Sequence, residues 1–255
     1  MKGLFVTGTD TGVGKTQIAA AVAQLLSEAG VSVRPRKPVE TGCRADEDGL
    51  TAEDALTLKA AANSRDALAV ICPYMFKPAV SPERAARLCG QQSHLADLIK
   101  VTCAEITASD YLLVEGAGGF CSPLASDGLN ADLAAALALP VLLVVRNRLG
   151  CLNHALLTVE AVRQRNLNLA GIVLNQVDAV VNLDMDNADD LKRWLACPVL
   201  YVPHMTASSP WPEMMPFIRS GSPSLFDATV GKTGTFRRQP TSFGPRHAPP
   251  QSRSR

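Results

Sequence analysis

A glycine-rich loop near the amino terminus carries the clearest chemical pattern in the chain. It spans residues 8–16 (Gly-Thr-Asp-Thr-Gly-Val-Gly-Lys-Thr), follows an apolar run at 3–6 and leads into a helical pattern. A strand, a glycine-rich turn and a helix form the context in which a final Gly-Lys-Thr binds nucleotide phosphates. The spacing between the first and last glycines is five residues, one more than in the general motif. We interpret the loop as a phosphate site; the alternative is a turn that only starts a helix.

The residue types of this loop supply complementary parts of an anion site. Gly12, Val13 and Gly14 can direct backbone N–H groups at an anion, and the following helix adds the positive end of its dipole. Lys15 can reach the β- and γ-phosphates of a nucleotide, and the hydroxyl of Thr16 can bind Mg²⁺. The loop therefore predicts binding of a nucleoside triphosphate with magnesium.

Two acidic residues are candidates for completing the magnesium site around Thr16. Glu115 ends an apolar run and precedes four small residues, among which Gly118 allows close backbone approach to a nucleotide. Mg²⁺ prefers hard oxygen ligands and keeps waters and phosphate oxygens, so few protein ligands suffice. Asp54 is either a second metal ligand or the acid of a capping box in residues 51–54. Glu115 is alternatively a solvated strand end.

Three further polar residues each have a chemical and a structural interpretation. Lys37 precedes Pro38, which favours an extended backbone, and it either holds a second anion beside the γ-phosphate or lies on the surface. Asn153 is either a helix N-cap or part of a helix start that binds a carboxylate. Asn175 begins Asn-Gln-Val-Asp, which resembles the Asn-Lys-x-Asp guanine reader of GTPases. Because Gln176 replaces the lysine, we assign Asn175 to the edge of adenine.

Short apolar runs that alternate with helical patterns predict a single doubly wound α/β domain, with a mostly parallel sheet covered by helices on both faces. The predicted strands are 3–6, 31–36, 111–114, 141–145, 170–174 and 199–202. The predicted helices are 16–29, 52–62, 82–88, 94–109, 154–165 and 187–196. In this architecture ligands bind beyond the carboxyl ends of the strands, which would bring Lys37, Glu115 and Asn175 to the phosphate loop.

Composition limits the remaining possibilities. The chain has 255 residues and a formal charge of +1, but residues 228–255 alone carry +6. We predict a catalytic domain at 1–227 with a mildly acidic charge of −5, and a basic, disordered tail at 228–255. An acidic body gives no reason to expect nucleic-acid binding. The most apolar stretch, 133–145, is too short to span a membrane. Seven scattered cysteines are typical of reduced thiols, so we expect a soluble cytoplasmic protein.

Several segments together resemble the dethiobiotin synthetase family, whose members are ATP-dependent enzymes of biotin synthesis. The five-residue spacing in the phosphate loop is also the form found in that family. The similar segments appear in the family's order between residues 3 and 175. They are Phe5–Thr16, Lys37–Val39 with Thr41 and Gly42, Asp54–Leu56, Leu113–Gly119 and Leu149–Ala155. After residue 175 the chain departs from the family pattern, with Asn-Gln where Asn-Asp is frequent.

The resemblance implies a particular reaction. The substrate would be 7,8-diaminopelargonic acid, one amine of which reacts with CO₂ to form a carbamate. The carbamate would take the γ-phosphoryl group of ATP, with Mg²⁺ as the metal cofactor, and the second amine would then close a ureido ring. The product of this cyclo-ligase would be dethiobiotin. The family is a homodimer whose active site lies at the subunit interface.

The resemblance also implies roles for individual residues. Lys15 and Lys37 would act in catalysis with Thr11, and Mg²⁺ would be held by Thr16, Asp54 and Glu115. Lys37 would hold the carbamate oxygens together with Thr11 and Thr41. A helix start from the partner subunit would bind the distal carboxylate of the substrate. The residues that form this helix start are Gly150, Cys151 and Asn153.

Two other classes share this fold and remain as alternatives. A nucleotide-gated switch ATPase of the partition or nitrogenase-iron-protein type would carry an additional lysine early in the loop, where this chain has Thr9-Asp10-Thr11. An amidating ligase of cobyric acid synthesis would require a glutaminase domain, for which we expect no room in 255 residues. The sequence at 9–11 and the length of the chain therefore each favour the ligase interpretation over these alternatives.

Overall fold

The computed structural model describes residues 1–47, 49–180, 184–206 and 211–230. Its elements in chain order are β1 (Lys2–Gly8), α1 (Lys15–Glu28), β2 (Val33–Arg36), β3 (Val39–Thr41), β4 (Arg44–Asp46), β5 (Gly49–Thr51), α2 (Glu53–Ala61), α3 (Leu68–Ile71), β6 (Tyr74–Phe76), α4 (Pro82–Leu88), α5 (Leu95–Thr102), β7 (Tyr111–Gly119), β8 (Pro123–Ala125), β9 (Gly128–Leu129), α6 (Asn130–Leu137), β10 (Val141–Arg146), α7 (Cys151–Gln164), β11 (Leu169–Asn175), α8 (Asn187–Trp194), β12 (Val199–Val202) and α9 (Trp211–Val230).

A six-stranded parallel sheet forms the centre of the fold. The order of its strands is β12-β11-β10-β1-β7-β2, and every neighbouring pair is parallel. This result confirms the predicted parallel α/β architecture. Strands β7 and β2 lie on one side of β1, and β10, β11 and β12 lie on the other. The chain therefore adds its later strands in the opposite direction from its earlier ones, and the reversal occurs beside β1. A crevice forms at such a point beyond the carboxyl ends of the strands, and the phosphate loop follows β1 into it.

Successive residues of the central strand belong to different apolar clusters, one on each face of the sheet. Leu4 and Val6 of β1 pack in a cluster with α1 and α9, whereas Phe5 packs in a cluster with α5 and α6. Residues of β10 and β11 pack against α7 and α8 in a third cluster. Strands buried on both faces are apolar at nearly every position. This double burial explains why apolar runs identified the inner strands, whereas the edge strands β2, which is Val-Arg-Pro-Arg, and β12, which is partly exposed, have weaker signals.

Two predicted helices have boundaries that differ from those in the structure. The helix expected at 94–109 ends at Thr102, and Glu105 adopts a left-handed backbone with φ 59°. The helix expected at 154–165 begins earlier, at Cys151. Several short elements had no signal in the sequence because too few residues of each are periodic. These are β3 to β6, β8, β9 and α3; α9 and the start of α6 were also not predicted.

Two expectations concern the surface and the end of the chain. In the part of the chain that the structure describes, no helix combines the length and apolar character needed to cross a membrane. The backbone of α9 continues to Val230. The remainder of the predicted basic tail at 228–255 lies outside the described residues.

A buried ion network fixes the edge strand β2 immediately before Lys37. The side chain of Arg36 is buried, and its Nη1 donates a hydrogen bond of 2.7 Å to Asp66 Oδ2. Its Nη2 donates to the carbonyl of Ala104 at 2.8 Å, and Arg34 Nε donates to the same Asp66 oxygen at 3.0 Å. The network therefore connects β2 to the segments after α2 and α5, and it fixes the position of the backbone immediately before Lys37.

Removal of the carboxylate of this network provides a test of its contribution to stability. We expect Asp66→Ala to lower the free energy of unfolding by about 3–5 kcal/mol, because Arg36 would stay buried without its partner. Urea unfolding at neutral pH measures this change. As a control, Glu83→Ala removes a surface partner of Arg87 and should change stability by less than about 1 kcal/mol. Equal, small effects of the two variants would contradict the assignment.

Candidate functional site

The phosphate loop connects β1 to α1 and is held by hydrogen bonds on both sides. Thr9 N donates to Val144 O on β10 at 3.1 Å, and Phe120 N donates to Gly8 O at 3.1 Å. Gly14 has φ 92°, and a Cβ there would collide with the side-chain amide of Asn175, so the position requires glycine. No side chain caps α1, which leaves its first N–H groups available to an anion.

Lys15 is the first residue of α1, and its side chain is buried beside the loop. Its Nζ donates to the carbonyl of Asp10 at 2.9 Å. Burial is the main cause that lowers the pKa of Lys15 from 10.5 to about 8; the Glu115 carboxylate opposes this shift, and the charge of nearby Lys37 contributes to it. The lysine therefore remains mostly protonated at neutral pH, at an electrostatic penalty that a bound anion would relieve.

A lysine and two carboxylates converge next to the loop. Lys37 Nζ donates to Asp54 Oδ2 at 2.7 Å and to Glu115 Oε1 at 2.5 Å. Thr16 Oγ1 donates to Glu115 Oε1 at 2.9 Å. Thr16 lies in α1, Lys37 in the segment after β2, Asp54 in α2 and Glu115 in β7. The fold brings these four residues together. The structure thus places side by side the three residues that the sequence assigned to magnesium.

The charges in this cluster depend on one another. Burial alone would lower the pKa of Lys37, but the carboxylates of Glu115 and Asp54 outweigh it and raise the pKa, so Lys37 is charged. Burial raises the pKa of Glu115, and Lys37 opposes that shift. Burial also favours a higher pKa for Asp54, but Lys37 more than offsets it, so the net pKa is lowered. The cluster therefore keeps Asp54 and Lys37 ionised.

The residues present fit a magnesium ion. Glu115 Oε2 is buried and has no hydrogen-bond partner among the residues that the structure describes, so it is an acceptor oxygen available to a cation. Among the described residues, no group of three or more His, Cys, Asp or Glu side chains could hold a metal. The site instead offers two carboxylates and the hydroxyl of Thr16. Such a small oxygen set suits Mg²⁺, which takes its other ligands from water and phosphate.

The structure excludes the capping-box interpretation of Asp54. The N-cap of α2 is Ala52, with no side-chain hydrogen bond, and Thr51 Oγ1 donates to Asp46 instead. The first turn of α2 is capped by Glu40, a buried residue of β3 that the sequence interpretation missed. Burial raises the pKa of Glu40 to about 7, and Asp54 contributes. Its only sequence signal is its position three residues after Lys37.

Other predicted residues lie around the mouth of the site. Thr11 is exposed at the tip of the loop, and Thr41 ends β3. Gly118 has φ 78°, and a Cβ there would lie 2.8 Å from Ser122 Oγ and 3.8 Å from Thr11 Oγ1. The four small residues at 116–119 are part of β7, and Gly118 faces the phosphate loop. Glu115 consequently lies within β7, and the prediction that it ends the strand is wrong.

Asn175 lies at the carboxyl end of β11, beneath the phosphate loop. Its Nδ2 donates to Val13 O at 3.0 Å, and its buried Oδ1 has no hydrogen-bond partner in the described part of the chain. The assignment of Asn175 to adenine stays a prediction. Asp178, which corresponds to the last residue of a guanine reader, accepts hydrogen bonds from Nε (2.9 Å) and Nη2 of Arg146. Because Arg146 already binds the carboxylate of Asp178, this pairing argues against recognition of guanine by Asp178.

The loop before α7 borders a small cavity of about 50 Å³ beside the phosphate loop. Gly150 precedes α7 with φ 88°, and Cys151 is buried as its first residue. Asn153 is exposed in the first turn of α7, so the interpretation of Asn153 as an N-cap is wrong. The residues around the cavity are Thr9, Asp10, Thr11, Val13, Arg146, Arg148, Cys151 and His154.

Comparisons with known proteins agree with this geometry. A family model described as an AAA domain matches residues 2–209. The chain is 44% identical over 196 residues to the ATP-dependent dethiobiotin synthetase BioD of Ralstonia nicotianae, covering 77% of this chain and 86% of that protein. It is 41% identical over 216 residues to the protein of the same name from Chromohalobacter salexigens, covering 81% and 91%. A ParA family ATPase structure from Chlorobium tepidum TLS shares the fold, with 15% identity, a TM-score of 0.52 and coverage of 90% and 98%.

The buried charge of Lys15 leads to a prediction about stability. We expect Lys15→Met to raise the free energy of unfolding of the nucleotide-free protein by about 3 kcal/mol at pH 7, since the pKa of Lys15 is lowered from 10.5 to about 8 and each pKa unit corresponds to about 1.36 kcal/mol. The difference should shrink as pH rises from about 8 to 10.5, because the native lysine loses its proton before the unfolded one does. Urea unfolding across this range measures the effect.

The same substitution should abolish binding of a nucleoside triphosphate, because the phosphates lose their buried cation. Lys100→Met changes an exposed lysine of α5 and serves as the matched control, with little effect on either measurement. A Lys15→Met protein that is less stable than the original at pH 7 would contradict the electrostatic argument.

Proposed function

The chain belongs to the family of ATP-dependent dethiobiotin synthetases, and we propose that it forms dethiobiotin from 7,8-diaminopelargonic acid, CO₂ and ATP. The observation that carries this proposal is the position of Lys37, which lies between two carboxylates and next to the phosphate loop. A phosphate cradle alone would serve any nucleotide-binding protein. A second buried lysine beside it suits a second anionic reactant.

The proposed reaction joins three molecules in balanced steps. One amine nitrogen of the substrate attacks CO₂, forms a C–N bond and loses a proton, which gives a carbamate. A carbamate oxygen then attacks the γ-phosphorus of ATP, and the bond to the β,γ-bridging oxygen breaks to release ADP. The second amine attacks the carbonyl carbon of this carbamic–phosphoric anhydride, expels phosphate and loses a proton. The product is the cyclic urea, dethiobiotin.

The chain's own residues contribute positioning and charge compensation. A carbamate and a triphosphate repel one another, so bringing them together requires fixed cations at the point of contact. Lys15 would bind the β- and γ-phosphates, and Lys37 would bind the carbamate oxygens. Thr11 and Thr41 would contribute hydroxyl donors to the same group. Because the lysine side chains are buried, their charges act in a medium where electrostatic interactions are strong.

Magnesium is the metal that we propose for this site. Thr16, Asp54 and Glu115 would hold it, and the unpartnered Oε2 of Glu115 supports that role. When bound, Mg²⁺ supplies positive charge to the β- and γ-phosphate oxygens. Lys37 keeps the two carboxylates compensated and anchored in the arrangement that the metal requires.

We also propose a homodimer with an interfacial active site. Leu149 is 87% exposed and Leu157 is 62% exposed, so α7 and the loop before it present apolar surface to solvent. Exposed apolar residues beside a functional helix start are suited to an interface between two copies. Gly150, Cys151 and Asn153 of the partner subunit would then bind the distal carboxylate of the substrate.

We place the enzyme in the cytoplasm. All seven cysteines lie in the described part of the chain, and each is a free thiol. Reduced, dispersed cysteines are typical of a reducing compartment. Precursors of biotin synthesis and ATP are small molecules, and no membrane or nucleic-acid partner is needed for the proposed reaction.

Substrate-dependent ADP release tests the proposed function. The full-length protein is incubated with ATP, Mg²⁺ and bicarbonate, with and without 7,8-diaminopelargonic acid. We expect ADP release to require the diamine and to equal the dethiobiotin formed. ADP release that is independent of the diamine, or that requires a second protein, would instead support a nucleotide-gated switch ATPase.

A substitution of Lys37 separates its role from that of Lys15. We expect Lys37→Gln to lower the rate of dethiobiotin formation by about 100-fold or more, as for loss of a transition-state cation. Its affinity for ATP, measured by calorimetry, should change by less than about tenfold, because the phosphates depend on Lys15. The glutamine amide can still donate to one carboxylate, and thermal unfolding checks that the protein remains folded. An equal loss of ATP affinity would show that Lys37 serves the nucleotide.

A further inference from the structure

Glu40 makes two hydrogen bonds to the helix that carries Asp54. Its Oε1 accepts from Asp54 N at 3.0 Å, and its Oε2 accepts from Ala55 N at 3.0 Å. The side chain is 6% exposed, so these bonds are shielded from water. Helix α2 has no side-chain cap of its own, and Glu40 is therefore the group that satisfies its first N–H donors.

The two contacts on Asp54 come from one short segment of chain. Lys37 binds the carboxylate of Asp54, while Glu40 binds its backbone N–H. The segment between them contains only residues 38 and 39, and it enters β3, which pairs with β6. Asp54 is thus fixed both at its backbone and at its carboxylate by residues whose separation cannot change much.

The choice of a carboxylate at this position has an electrostatic disadvantage. Burial raises the pKa of Glu40, and the negative charge of neighbouring Asp54 also raises it. A neutral cap such as serine or asparagine would avoid this repulsion, but it offers only one side-chain acceptor oxygen. Two acceptor oxygens in a rigid plane are needed to hold two successive N–H groups at once. A glutamate provides them, so the geometry favours a positioning function over simple capping.

We propose that Glu40 is a positioning residue for the magnesium site, acting by fixing the first turn of α2 so that Asp54 faces Thr16 and Glu115. This inference rests on the proposed function, in which Asp54 is a magnesium ligand. Groups that hold a metal ligand in place typically change metal affinity by 10- to 100-fold when they are removed. Glu40 contacts neither the reacting groups nor the metal in this assignment.

The test uses full-length Glu40→Gln, which keeps the shape but replaces one acceptor oxygen with an amide donor that faces an N–H group. Glu53→Gln is the matched control, since Glu53 begins the same helix but is exposed, and among the described residues its carboxylate pairs with exposed Arg44. Electron paramagnetic resonance with Mn²⁺ measures metal affinity in the presence of a non-hydrolysable ATP analogue. Hydrogen exchange of the amides at 54 and 55 reports the first turn of α2. Neither measurement requires the diamine substrate, so failure of the proposed reaction is distinguishable from failure of this inference.

We expect Glu40→Gln to weaken Mn²⁺ binding about tenfold or more and to speed exchange of both amides, while Glu53→Gln changes neither. In turnover assays, the Mg²⁺ concentration for half-maximal rate should rise by a similar factor, with a smaller change in kcat at saturating Mg²⁺. Faster exchange with unchanged Mn²⁺ affinity would show that Glu40 only caps the helix, and it would overturn the proposal.

A second variant protects the test against loss of folding. Glu40→Asp keeps two acceptor oxygens on a shorter side chain, and we expect Mn²⁺ affinity between those of the original protein and Glu40→Gln. If Glu40→Gln does not fold, Glu40→Asp carries the comparison alone, with about a threefold or greater loss expected, because the shorter side chain weakens an interaction whose complete removal costs about 10- to 100-fold. Binding of Mn²⁺ by Glu40→Asp that equals the original would then contradict the positioning function.

Discussion

The buried pairing of Lys37 with Glu115 is the interaction on which the rest of the site depends. Both side chains are withdrawn from water, and the 2.5 Å contact compensates charges that neither could carry alone in that environment. Thr16 donates a hydrogen bond to Glu115, and Asp54 accepts one from Lys37, so the pairing also fixes the hydroxyl and the second carboxylate. A site of this kind is ordered only if the elements that carry its members are themselves rigid.

The order of strands in the sheet provides that rigidity. The strand β7, which carries Glu115, lies between β1 and β2, so it is adjacent both to the phosphate loop and to the segment with Lys37. The Arg36–Asp66 network fixes the end of β2 one residue before Lys37. On the other side of β1, the end of β11 supports the loop through Asn175. Charged groups from distant parts of the chain therefore meet because parallel strands deliver them to one edge.

The features predicted from the sequence are those encoded by local patterns. Apolar runs identified the strands of the sheet, most clearly the inner strands, whose burial on both faces leaves an uninterrupted signal. The loop before α1 has a recognisable spacing. The features that were missed depend on pairs of residues far apart in the chain. Glu40 caps a helix that begins thirteen residues later, and Arg36 is buried because Asp66 compensates it. Asn153 is a residue type that is common at helix N-caps, but Gly150, with its positive φ, is the N-cap of α7, and the helix starts before Asn153.

The balance of charge explains why such a site would need a divalent cation as well as lysines. Lys15 and Lys37 are matched by the carboxylates of Asp54 and Glu115, so the cluster has little excess positive charge. A triphosphate and a carbamate would add several negative charges to a buried space, where repulsion is strong. Carboxylates that repel anionic reactants would serve as ligands to such a cation, and the free oxygen of Glu115 would be available to it. The same acidic residues that keep the lysines ionised in the free protein would thus bind the metal ion, and the metal ion would supply the positive charge that two anionic reactants require.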